Sequence, residues 1–142
     1  MALVLCSMVP GWAQAVVTAG DLDRAMASVG RNVTLAGTAI EAKDYNVAKE
    51  RVARAREQLS PTFAFWEHAK KTDAQRLVRD AAARLDDLDL ALSREPVEAT
   101  GIAQAKRAVD ASCQACHSLY REQDPATNRF RLKAQPMGPS EK

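Results

Sequence analysis

The chain has 142 residues, the size of one domain. Its 20 basic and 18 acidic side chains leave a net charge of +2, and the basic ones are scattered, which gives no argument for a nucleic-acid or anionic-membrane partner. Aromatic residues make up only 5%, while Ala, Leu, Arg, Asp and Glu abound, a composition that favours helix.

Residues 1–15 read as a processing segment. Ala2 to Val9 is a short apolar core, and Ala13-Gln14-Ala15 has the small-x-small form of a signal-peptidase site. No Lys or Arg precedes the apolar core, so either the signal is truncated or the true start lies upstream. The apolar run is far too short to span a bilayer. Cys6 lies in this segment, and Leu5 stands where a lipid anchor would want a small residue. Cleavage after Ala15 leaves two cysteines and an exported chain.

Four amphipathic stretches follow. The first, about Asp21 to Lys43, carries Leu22, Met26, Val29, Val33, Ala36 and Ile40 at steps of four and three, one apolar stripe of a helix. Asp21 and Asp23 suit its positive end, and Gly30 and Gly37 leave room for another element to approach. The second, about Val47 to Lys71, has the stripe Ala48, Val52, Ala55, Leu59, Phe63 and Trp66, and Pro61 kinks or restarts it.

Thr72-Asp73-Ala74-Gln75 reads as a capping box opening a third helix to about Ser93, with Leu77, Ala81, Leu85, Leu88 and Leu92 inward. Pro96 stops any continuation. A fourth helix, about Val97 to Gln123, carries Ile102, Val109, Cys113, Cys116 and Tyr120 on one side, and Asp124-Pro125 ends it. No strand is expected. Residues 16–134 form the domain and 135–142 a flexible tail. Four helices with short links predict an all-α, antiparallel up-down-up-down four-helix bundle. The stripes are rich in alanine, which leaves interior space.

The last helix holds Cys113-Gln114-Ala115-Cys116-His117, a C-x-x-C-H run. On a helix, positions i, i+3 and i+4 share a face, so both thiols and the imidazole address one flat group. This is the attachment pattern of a c-type haem, with thioether bonds from Cys113 and Cys116 and iron ligation by His117. A structural zinc site would need four ligands, and only His68 is left as a distant fourth. A redox dithiol would want a βαβ setting. A structural disulfide is the third alternative.

The motif continues as Cys113-x-x-Cys116-His117-x-x-Tyr120-Arg121, and the first helix opens Asp21-Leu22-Asp23-Arg24-Ala25-Met26. With Ala64-Phe65-Trp66 and Asn128 to Lys133, these features make the chain resemble the cytochrome c′ family, including its methionine-ligated low-spin relatives, over about Leu22 to Lys133. The resemblance implies one covalent haem c in a bundle, a bacterial periplasmic location, and a distal-face residue at Met26. It also sets Arg121 near the imidazole or the haem edge and leaves open a homodimer paired through the first helices.

Met26 is either the sixth iron ligand or an ordinary core filler. Tyr120 either packs on the haem or belongs to the core. Arg121 would raise the potential if its charge lies by the iron, and is otherwise a surface residue. His68 reads as exposed. With Met26 bound, the protein is a single-electron carrier for redox partner proteins. With the sixth position open, it binds nitric oxide or another small diatomic gas. No nucleophile–base pair, paired catalytic carboxylates or glycine-rich phosphate loop points to an enzyme.

Overall fold

A computed structural model describes residues 16 and 18–134; the expected leader, Cys6 and the expected tail lie outside the described residues. The fold is mostly helical. Four long helices, α1 (Ala19–Glu41), α2 (Tyr45–Leu59), α4 (Thr72–Leu92) and α5 (Ala99–Tyr120), are joined by a short α3 (Thr62–His68). A small antiparallel hairpin, β1 (Arg121–Gln123) with β2 (Phe130–Leu132), follows α5.

Local chemistry sets each boundary. Thr18 opens α1 with a reciprocal box: its Oγ1 accepts from Asp21 N at 3.1 Å, and the Asp21 carboxylate accepts from Thr18 N at 3.0 Å. Such a cap stabilises a helix by about 1 kcal/mol. Lys43 takes a left-handed backbone (φ 59°) to turn the chain, and Asp44 then caps α2 by accepting from Val47 N at 3.1 Å. Pro61 restarts the helix as expected, since α2 ends at Leu59 and α3 begins at Thr62. The fully buried Thr62 spans the break by donating from Oγ1 to Leu59 O at 2.6 Å.

Two boundaries differ from expectation. Thr72 does not cap α4: Lys71 is the N-cap, without a side-chain bond, and the Asp73 carboxylate faces Tyr120 instead. The last helix stops at Tyr120 rather than Gln123, and residues 121–123 turn into β1. The strand registers pair Arg121 with Leu132, Glu122 with Arg131 and Gln123 with Phe130. At the turn, Asp124 Oδ1 accepts from Ala126 N (2.8 Å) and Thr127 N (3.2 Å), bonds that also hold its carboxyl below the usual range.

α1 packs on α2, α2 on α4, α4 on α5, and α3 on α4. Ala48, Val52, Ala55, Leu88 and Leu92 form the closed part of the core. Small residues let α2 lie close to its neighbours, and Leu side chains from α4 fill the remaining space. α1 and α5 approach at one end, where a Cβ on Gly37 would stand 3.2 Å from Lys106 Cε. The close approach expected of Gly37 is therefore realised. At Gly30, two turns earlier, a Cβ would meet nothing within 4 Å. The helices line an interior space there instead.

Candidate functional site

That space is a cavity of about 740 Å³, within the roughly 300–1,000 Å³ typical of cofactor and ligand sites. Its walls are mainly apolar. α1 contributes Leu22, Met26, Gly30 and Val33; α4 contributes Leu77, Val78, Ala81 and Leu85. α5 contributes Cys113, Cys116, His117 and Tyr120, and the β-hairpin closes one side through Arg129, Phe130 and Leu132.

The sequence-predicted residues thus meet in one place. Cys113 and Cys116 are free thiols, each half-buried, so they do not form a disulfide. His117 stands one residue on, also half-buried on the same wall. Met26 lines the same cavity from α1, although 91 positions separate it from His117 (117 minus 26). Helix α1 is what delivers it, because Leu22, Met26, Val29 and Val33 share the inward stripe. His68 sits exposed at the end of α3 and is not part of the lining.

Tyr120 does two jobs. Its ring is buried and tilts against Trp66, with centroids 4.7 Å apart, and it borders the cavity. Its hydroxyl donates to Asp73 Oδ2 at 2.5 Å, joining α5 to the start of α4. That bond lowers the Asp73 carboxyl, while burial and the same bond raise the Tyr120 phenol. Arg121 begins β1 rather than ending the helix. Its guanidinium lies 4.1 Å over the Phe130 ring, still on the cavity wall.

Electrostatics suit an apolar guest. Burial pushes the Cys116 thiol up to about 11, with Cys113 and Asp73 adding to the effect. Burial, then Asp110, raises Cys113. Burial, then the Arg121 charge, lowers His117, favouring the neutral imidazole that a metal ion binds. Among the described residues, no three His, Cys, Asp or Glu side chains converge to hold a bare metal ion, so a zinc site of four such ligands has no seat among them.

The donor set fits a haem. Two thiols and an imidazole stand at i, i+3 and i+4 on one wall, a thioether stands on α1, and the space between is apolar and of cofactor size. Two residues of this region escaped sequence reasoning. Asp73 is tied to Tyr120 across 47 positions, and Arg129 belongs to a hairpin where no strand is expected from the sequence. The turn signal Asp124-Pro125 with Asn128 in the left-handed region (φ 55°) was available for the second.

No helix among the described residues is long and apolar enough to cross a membrane. Compared with family models, with curated proteins and with solved structures, the chain matches none.

Proposed function

We propose that this chain is an exported c-type cytochrome of the cytochrome c′ kind, an antiparallel four-helix bundle that carries single electrons in the bacterial periplasm. The observation that carries the reading is the meeting of Met26 from α1 with Cys113, Cys116 and His117 from α5 on one apolar cavity. Cys113 and Cys116 would hold one haem c by thioether bonds, with His117 as proximal and Met26 as distal iron ligand. When bound, haem supplies an iron that gains and loses one electron.

The chain's own residues do the rest. Leu22, Val33, Leu77 and Leu85 exclude water, which lowers the dielectric around any charge change. His117 and Met26 project from the helices α5 and α1, so both side chains would move little when the bound group gains or loses an electron. The Arg121 charge beside His117 disfavours added positive charge there and raises the potential. Redox partner proteins are the expected exchange partners.

One observation favours a second reading. Gly30, one turn after Met26, leaves open space on the cavity wall. A small neutral diatomic such as nitric oxide would fit there if Met26 is not bound to iron.

The ferric spectrum of the matured protein separates the two. The electron-carrier reading expects a low-spin signal with the weak far-red iron–methionine band, turning high-spin in Met26→Leu. A high-spin ferric form that Met26→Leu does not change would overturn methionine ligation and leave gas binding.

A further inference from the structure

The β1–β2 hairpin supplies one wall of the cavity, through residues 128–132. It is held firmly. Lys133 N donates to Tyr120 O at 2.8 Å, and Lys133 Nζ donates to Ser118 O at 2.6 Å. Arg131 reaches two carboxylates of its own hairpin, Glu122 at 2.8 Å and Asp124 at 2.9 Å. Asp124 N donates to Arg129 O at 2.8 Å, and Gln123 Nε2 donates to Asn128 O at 3.0 Å, so the backbone that carries Arg129 is pinned on both sides.

The three arginines of this wall are used differently. Arg131 is consumed by Glu122 and Asp124. Arg121 stacks on Phe130 and makes no ion pair among the described residues. Among the described residues, Arg129 makes no ion pair and stacks on no ring. Elsewhere the lining has acids: Asp23 on α1, and Asp110 on α5, the latter paired with Lys106 at 2.9 Å. An occupant with carboxylates on one edge would be repelled from the α1 side and drawn toward the hairpin.

Haem is such an occupant. Its two propionate side chains leave the ring on the edge away from the thioether bonds, and a carboxylate taken into a part-apolar site without a cation or donor is strongly penalised. We propose that the C-terminal hairpin is the carboxylate subsite of the cavity, with Arg121 and Arg129 receiving the two propionates and Arg131 bracing the strands. This inference rests on the haem reading above. It extends that reading to a segment, residues 121–132, that the C-x-x-C-H motif does not reach.

The test uses the full chain with Cys113→Ser and Cys116→Ser, so that porphyrin binds without covalent capture. Ferric protoporphyrin and its dimethyl ester are titrated against it by absorbance. The free acid should bind at least about tenfold more tightly than the ester, as charge-assisted guanidinium–carboxylate bonds imply. Arg121→Gln and Arg129→Gln should each remove most of that preference by weakening free-acid binding far more than ester binding, and Arg129→Lys should keep much of it. An acid-to-ester ratio that neither Gln variant moves, with both porphyrins still bound, would overturn the subsite alone. Binding of neither porphyrin would overturn the subsite together with the haem reading.

Discussion

The two ends of the α1–α5 pair are built differently. At the Gly37 end, α1 rests against the aliphatic stem of Lys106, and the neighbouring α2–α4 core is closed, with Ala48 and Ala55 fully buried and Leu88 only 3% exposed. At the Gly30 end the same helices part, and Met26, Cys113, Cys116 and His117 all remain partly exposed on a cavity wall. The helical periodicity is alike at both ends. The difference lies in side-chain volume and chemistry. Where Leu88 and Leu92 meet Ala48 and Ala55 the helices close; where two thiols, an imidazole and a thioether line one space, they leave a cavity. In a single helix the packing role and the site role are thus separated by two turns.

This contrast can be broken by mutation of the haem-free protein. Leu88→Ala, in the closed part, should cost about 2–5 kcal/mol in denaturant unfolding, since a cavity would open among fixed neighbours. Met26→Ala should cost clearly less, because its side chain already borders empty space. Equal costs would mean that the cavity end is as well packed as the other. The glycines sharpen the point. Gly30→Ala should stabilise by up to about 1 kcal/mol through helix propensity alone, as its Cβ meets nothing. Gly37→Ala should gain less, because the Lys106 stem must give way.

Trp66 probes the boundary between the two ends. Its Nε1 is buried and donates to no acceptor among the described residues, with the Tyr120 ring alongside. An unmet buried donor costs about 1–3 kcal/mol, so Trp66→Phe should cost much less than the lost volume alone implies. A penalty at the full large-to-small level would show that the N–H is satisfied in solution.

The α1 and α4 stripes, the Pro61 restart and the cavity-facing positions of Cys113, Cys116, His117 and Met26 were legible in the sequence, because helical spacing ties position directly to face. The C-terminal hairpin was not. Strands of three residues are too short to display alternation, and Arg121 to Gln123 extends a helical pattern without interruption. The cap at Thr72 was misread because Asp73 found a distant tertiary partner, whereas the box at Thr18 and Asp21 uses Asp where Glu is the usual signal. Tyr120 packs on Trp66 and holds Asp73 while also bordering the cavity, a combination that only the tertiary arrangement reveals.

Smaller effects follow from titration. The Asp73 carboxyl is lowered in the folded state, so its ionised form contributes stability above its unfolded value near pH 4, and that contribution is lost as pH falls through the folded value. Melting temperature from pH 6 to 2 should therefore fall more steeply in the wild type than in Asp73→Asn; parallel curves would deny the Tyr120 bond any role. With the Cys116 thiol at about 11, iodoacetamide at pH 8 should modify it more slowly in the folded haem-free protein than in urea. Equal rates would show that the thiol is not shielded by burial.

The proposed function stands or falls on a porphyrin joined to the chain at Cys113 and Cys116. Matured protein should be extracted with acidified organic solvent under denaturing conditions, and the polypeptide and solvent phases assayed for haem. All of the colour should stay with the polypeptide, and Cys113→Ala with Cys116→Ala should release it. Haem recovered in the solvent from the unaltered protein, or a colourless folded protein from cells that mature such cytochromes, would contradict the attachment.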